Sequence, residues 1–210
     1  MYGNEADVGS ALQTVEKEHV CKRQELFVTT KLAMIHMDQQ RVRWSVEQSL
    51  DNLKLKYIDL LLVHMPFGLT FRGEGNYMPT LPDGTLDYAS YDLNQTWSVM
   101  GSLVKEGTVR CIGLSNFTQK QITKIIATAN IKPQNVQFEC QSYYRQNVLR
   151  KFLNEKGIPS VTAYIPLGAP TRPERHVTPE NKFEIPLQDP VVNDIAKKHN
   201  VTPALVLLRF

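Results

Sequence analysis

The segment Tyr57-Ile58-Asp59-Leu60-Leu61-Leu62-Val63-His64 constrains the fold of this 210-residue chain more than any other. A strand with one face in water alternates apolar and polar residues. This run is apolar without a break from Leu60 to Val63. Continuous runs of this kind are buried on both faces, in parallel sheets covered by helices. Parallel neighbours require crossover connections, so amphipathic helices should flank the strand. Residues 41–55 carry Val42, Val46, Leu50 and Leu53 at helical spacing, and residues 94–105 read as a second helix.

The alternation continues along the chain. Residues 26–31, 108–115, 135–140 and 159–166 read as further strands. Residues 118–129 and 147–156 read as crossover helices, and 189–210 as two helical pieces broken near Asn200 and Pro203. Strand and helix in repeated alternation predict an α/β fold with parallel strands and right-handed crossovers. The expected architecture is an incomplete TIM (β/α)8 barrel, about five of eight parallel strands with crossover helices. A closed barrel typically needs about 250 residues. Two long loops, 66–91 and 168–186, each follow the carboxyl end of a strand. Loops of that length inside a compact domain are usually functional. The first is expected to shape a substrate pocket and the second to cover a cofactor.

Composition removes several classes of function. A net charge of +3 without a basic stripe does not point to nucleic acid. No apolar run approaches the roughly 20 residues of a membrane span, and nothing reads as a signal peptide. Cys21, Cys111 and Cys140 are odd in number and far apart, which suits a reducing compartment and a cytoplasmic protein. No metal site is read. There is no Gly-x-Gly-x-x-Gly and no Gly-Lys-Ser/Thr, so a nucleotide would not be held by the Rossmann fingerprint.

Polar residues close nearly every strand. Lys31 ends the first, 29 residues on from Tyr2, and His64 ends the second, 33 further on. The carboxyl ends of the strands are where a β/α barrel keeps its active site. Lys31 alone reads as a solvated strand end, but an ammonium near a phenol favours the phenolate and tunes a tyrosine as a general acid. Tyr2 alone reads as a turn residue before a helix that starts at Asn4 or Glu5. His64 alone reads as a satisfied core histidine; as a neutral imidazole it would donate an N–H to a carbonyl oxygen. Ser115 and Asn116 read either as a helix cap or as holders of an amide ligand. Gln137 is a polar residue in an apolar strand that needs a partner when buried. Tyr164 is a core aromatic or a platform for a flat heteroaromatic ring.

Several segments together resemble the aldo-keto reductases: Tyr2-Gly3-Asn4-Glu5, Lys31, the strand ending His64-Met65-Pro66, Trp97, Gly113-Leu114-Ser115-Asn116-Phe117, residues 133–141, Tyr164-Ile165-Pro166-Leu167-Gly168, and the late helices from Asp189 to Phe210. The resemblance covers essentially the whole chain, as one partial reductase domain over 1–210. It implies Tyr2 as proton donor, Lys31 as its tuner and His64 as carbonyl orienter. It places Ser115, Asn116, Gln137, Tyr164 and Leu167 against the nicotinamide cofactor, and Met65 and Phe67 in the substrate pocket. The implied reaction is NADPH-dependent reduction of an aldehyde or ketone to an alcohol by a monomer. The alternative is a catalytically inactive truncated isoform, or a binding or regulatory protein on a reductase scaffold. The sequence departs from the family pattern. The aspartate before the tyrosine, the first two barrel strands and the eighth, with its cofactor-gripping residues, are expected outside these 210 residues. Ile165 and Ala169 stand where serines are common, Met65 where tryptophan is frequent, and Gln141 where histidine is.

Overall fold

The computed structural model describes residues 2–170 and 185–210. A helix α1 (Glu5–Lys17) precedes strand β1 (Thr29–Leu32), helix α2 (Gln39–Leu53) and strand β2 (Ile58–Val63). A hairpin of β3 (Gly68–Leu69) and β4 (Tyr88–Ala89) follows, then α3 (Leu93–Lys105), β5 (Val109–Ser115) and α4 (Gln119–Thr128). The chain continues through β6 (Asn135–Glu139), α5 (Asn147–Glu155) and β7 (Ser160–Tyr164) to α6 (Pro190–His199) and α7 (Pro203–Arg209). The main sheet has five strands in the order β1-β2-β5-β6-β7. All four pairings are parallel. The sheet is that of five successive β/α units, and among the described residues it is not closed into a barrel.

Local chemistry sets the element ends. Asp38 caps α2 by accepting from the Gln40 N–H at 3.0 Å, and Lys54 stops it in a left-handed conformation. Thr118 and Gln121 form a capping box on α4. Asp189 caps α6 with Pro190 in its first turn, and Asn200 ends it at φ 51°. Thr202 and Pro203 then start α7. The strand expected over 26–31 is observed as Thr29–Leu32, because pairing with β2 begins only at Thr29. Phe27 is left largely exposed. The loop over 66–91 holds the β3–β4 hairpin. Most of the loop over 168–186 lies outside the described residues.

The two faces of the sheet differ. On one, Leu61, Val63, Ile112, Leu114, Val136 and Phe138 share a hydrophobic core with helix residues such as Val46, Met100, Ile122 and Leu153. On the other, registered positions across the strands carry small or polar groups: Lys31 beside Leu62, Leu62 beside Gly113, Ser115 beside Gln137, and Gln137 beside Thr162. Paired positions of neighbouring strands point to the same side, so the polar groups are gathered on one face. At Gly113 a Cβ would come within 2.4 Å of the Asn135 carbonyl oxygen, so only glycine fits there.

A buried charge cluster ties the start of β1 to the start of β2 and β5. Asp59, 1% exposed, accepts from Arg23 at 2.6 Å, from the Val28 N–H at 2.9 Å and from Arg110 at 3.2 Å. Both guanidinium groups lie over the Tyr57 ring, at 4.0 and 4.4 Å from its centroid. This cluster sits at the amino ends of the strands, where conserved contacts serve stability rather than chemistry in β/α architectures. The three cysteines are free. Among the described residues no helix is long and apolar enough to cross a membrane.

Candidate active site

Lys31 lies in β1 and His64 directly follows β2, both at the carboxyl ends of their strands. Tyr2 stands just ahead of α1 and reaches across to them. Its ring centroid is 6.0 Å from that of His64, and the Lys31 Nζ is 5.8 Å from the Tyr2 centroid. α1 is held in place from two sides. Glu5 accepts from the Thr30 hydroxyl at 2.6 Å, beside Lys31. Gly9 lets α1 cross α2 so closely that a Cβ there would meet the Asn52 carbonyl oxygen at 2.3 Å. Tyr2 itself is 71% exposed. The three residues line one cavity of about 340 Å³, within the range of small-molecule sites.

Electrostatics differentiate the members of this group. Burial lowers the pKa of Lys31 from its usual value. Among the described residues Lys31 has no ion-pair partner. His64 is 6% exposed. Burial, followed by the charge of Lys31, pulls its pKa down to about 4. The imidazole is therefore neutral at pH 7 and keeps one N–H to donate.

A second group lies at the ends of the neighbouring strands. Asn116 follows β5 at φ 66°, a conformation asparagine tolerates better than most residues. Its Nδ2 donates to the His64 carbonyl oxygen at 2.9 Å and to the Ser115 Oγ at 3.1 Å. Its Oδ1 accepts from the Tyr164 hydroxyl at 2.7 Å, and its backbone N–H donates to the Gln137 carbonyl oxygen at 2.9 Å. One residue thus links the carboxyl ends of β2, β5, β6 and β7. Burial, then the charge of Glu139, raises the Tyr164 pKa, which keeps its phenol protonated as a donor. The cap of α4 is Thr118, so Ser115 and Asn116 are not spent on capping. Gln137 is half-buried, and its side-chain amide makes no hydrogen bond to a described residue; it opens onto a separate cavity of about 200 Å³ on the polar face.

The remaining expected residues lie further out. Met65 and Phe67 pack with Phe71, Tyr77 and Leu86 against a small cluster of Ala33, Met34, Ile35 and Leu69, and neither lines the Tyr2 cavity. Leu167 sits in the turn after β7, where Gly168 donates back to the Ile165 carbonyl at 3.0 Å. Sequence reasoning missed His36, Trp44, Glu74 and Tyr77, which complete the wall of the Tyr2 cavity. They come from the turn after β1, from α2 and from the hairpin loop, and no local pattern joins those three segments.

The Aldo/keto reductase family model matches residues 1–210. The chain is 40% identical over 210 residues to aldo-keto reductase family 1 member A1 of Gallus gallus, covering all of this chain and 62% of that protein. It is 39% identical to the protein of the same name from Rattus norvegicus, covering 63% of it. The structure of the aldose reductase from Schistosoma japonicum superposes with a TM-score of 0.88 at 37% identity, covering 99% of this chain and 63% of that one. The chain thus spans somewhat less than two thirds of the length of the curated relatives it matches. That matched structure and the five-stranded parallel sheet make the fold part of a TIM barrel, and the chain belongs to the aldo/keto reductase family.

Proposed function

We propose that this chain carries the proton-donating and nicotinamide-facing part of an NADP(H)-dependent reductase of aldehydes or ketones. The observation that carries the reading is the meeting of Tyr2, Lys31 and a neutral His64 on one cavity at the strands' carboxyl ends. In this reading the His64 N–H holds the substrate's carbonyl oxygen and stabilises charge that grows there. The Tyr2 hydroxyl delivers the proton to that oxygen, and the Lys31 ammonium offsets the phenolate left behind.

The residues present fit a nicotinamide. Gln137 offers a half-buried amide that has no hydrogen-bond partner among the described residues, in register with the buried Ser115 hydroxyl, and a carboxamide satisfies both. Ser115, Asn116 and Gln137 would hold that carboxamide, with Tyr164 and Leu167 against the ring. When bound, the reduced nicotinamide supplies the hydride. The hydrogen bond from Tyr164 to Asn116 keeps the Tyr164 ring in one orientation and the Asn116 amide facing one way.

The exposure of Tyr2 and the absence of an ion-pair partner for Lys31 among the described residues favour a second reading, a protein that binds the cofactor without turning over substrate. Titration with NADPH, followed by quenching of Trp44 and Trp97 fluorescence, separates the cases together with absorbance of the reduced cofactor in the presence of benzaldehyde. Quenching that weakens in Asn116→Ala, by roughly 1–3 kcal/mol of binding energy, supports the nicotinamide assignment. Oxidation of NADPH that disappears in Tyr2→Phe supports the reductase; quenching without oxidation supports the second reading. No quenching in the parent chain removes both.

A further inference from the structure

The helix-facing side of the sheet loses its cover at the last strand. Val136 and Phe138 of β6 are buried, at 0% and 4% exposure. Their register partners on β7, Val161 and Ala163, point to the same side and are exposed, Val161 at 47%. Leu207 of α7 and Phe210 just after it add further apolar lining. Together they bound a trough of about 220 Å³ that reaches in to Phe138. It shares no lining residue with the Tyr2 cavity or with the cavity beside Gln137.

The trough carries one sign of charge. Arg145 and Arg150 line it, and among the described residues no carboxylate side chain does. Neither arginine has an ion-pair partner among the described residues. The Arg145 guanidinium is already placed: it lies over the Phe210 ring, 4.7 Å from its centroid, and its Nε donates to the Ser142 carbonyl oxygen at 3.2 Å. Its terminal N–H groups remain to donate. Two guanidinium groups on an apolar trough select an anion with an apolar body. An alkyl chain takes Val161, Ala163 and Leu207 out of water, and a carboxylate head takes the arginine donors. A neutral chain uses only the first of these gains, an ammonium is repelled, and a small inorganic anion leaves the apolar wall wet. The volume lies below the roughly 300–1,000 Å³ of drug-sized sites, which suits a single unbranched chain rather than a ring system.

We propose that the trough between β7 and α7 is a binding site for amphiphilic anions, with an unbranched alkyl chain against Phe138, Val161, Ala163 and Leu207 and its carboxylate on Arg145 and Arg150. The site lies on the opposite side of the sheet from Gln137 and takes a ligand that needs no carbonyl to reduce, so it does not rest on the reading of Tyr2, Lys31 and His64. Cys140 marks it. The thiol is free, partly exposed and in the trough lining, 3.5 Å from the Arg145 carbonyl oxygen. Cys111 lines the cavity beside Gln137, and Cys21 lines neither.

The test uses octanoate, hexanoate, 1-octanol and octylamine with the 210-residue chain. Affinities are measured by calorimetry, and the rate at which N-ethylmaleimide alkylates each cysteine is followed by mass spectrometry. Octanoate should slow alkylation of Cys140 and leave Cys21 and Cys111 at their ligand-free rates. Hexanoate should bind roughly tenfold more weakly than octanoate, the worth of the two buried methylenes it lacks. 1-Octanol should bind about tenfold more weakly than octanoate, because it forgoes the charge-assisted hydrogen bonds, and octylamine should not protect Cys140. The double variant Arg145→Gln/Arg150→Gln, at two exposed positions, should bring octanoate down to the affinity of 1-octanol and leave 1-octanol unchanged. 1-Octanol that matches octanoate in the parent chain, or a preference for octanoate that survives the double variant, overturns the inference. So does octanoate binding that leaves Cys140 fully reactive, which places the ligand elsewhere, and so does equal slowing of all three thiols, which is non-specific coating. Absence of both heat and protection at millimolar octanoate overturns it as well.

Discussion

Two histidines in this chain are held neutral by burial, and this makes folding stability depend on pH in a defined direction. His36 and His64 each have a pKa near 4 in the folded chain against an ordinary value of 6.5. Between those limits the unfolded chain binds more protons than the folded one, so stability falls as pH drops from about 6.5 to about 4. Each ring contributes up to about 1.4 kcal/mol per pH unit across that window. Urea unfolding at pH 7 and pH 5 should show the loss, and His36→Gln should flatten the slope by about one proton; an unchanged slope refutes the assignment. Asp59 gives the opposite kind of residue effect, independent of the site. Removing its carboxylate in Asp59→Ala leaves Arg23, its side chain 12% exposed, without its counter-charge and the Val28 N–H without an acceptor. A loss of about 3–5 kcal/mol is expected in denaturant unfolding; a loss below 1 kcal/mol would mean that water replaces the carboxylate. The sequence disclosed these residues unequally. His64 and Lys31 were legible because each ends an apolar strand, and the strand fixes where its end points. The place of His36 in the cavity wall was not legible, because it shares that wall with Glu74 and Tyr77, which are distant in sequence and joined to it only by folding.

The elements themselves were largely written in the chain. α2 was readable from Val42, Val46, Leu50 and Leu53, and the break between α6 and α7 from Asn200, Thr202 and Pro203. The start of β1 was not, because Leu26 and Phe27 have strand-forming side chains but no partner strand beside them. The β3–β4 hairpin was also missed: two strands of two residues each are too short for any period to show. α1 is the element on which the candidate site depends most, since it positions Tyr2, and its close crossing of α2 depends on Gly9. Gly9→Ala places a Cβ against the backbone of Asn52 and Leu53, and backbone cannot yield as a side-chain tip can. The expected result is overpacking that costs roughly 1–3 kcal/mol. It should be accompanied by a changed His64 ring resonance as Tyr2 moves away. Wild-type stability with an unchanged His64 signal would show that α1 is not what places Tyr2.

At the scale of the whole molecule, the sheet is an open arc whose outer strands, β1 and β7, each have one neighbour among the described residues. Water reaches Tyr2, which is 71% exposed, and weakens the electrostatic interactions it makes with Lys31 and His64. A polypeptide of these 210 residues is therefore expected to oxidise NADPH with aromatic aldehydes far more slowly than the 1–10³ s⁻¹ common among enzymes; a rate within that range would show that the arc alone suffices. The strand order has a separate consequence for how the molecule breathes. Each strand pairs only with its successor in the sheet's sequence order, so the fold can fray from either side without disturbing its middle. β2 is buried at every residue and β5 at most, while β7 and β1 are only partly covered. Amide protons of β2 and β5 should therefore exchange with deuterium only through global unfolding, and those of β1 and β7 through cheaper partial openings. His64, Ser115 and Asn116 ride on the slow strands, whereas Lys31 and Tyr164 ride on the fast ones. A ligand that spans the polar face would be read most clearly not at its central contacts but as new protection at the two margins of the arc.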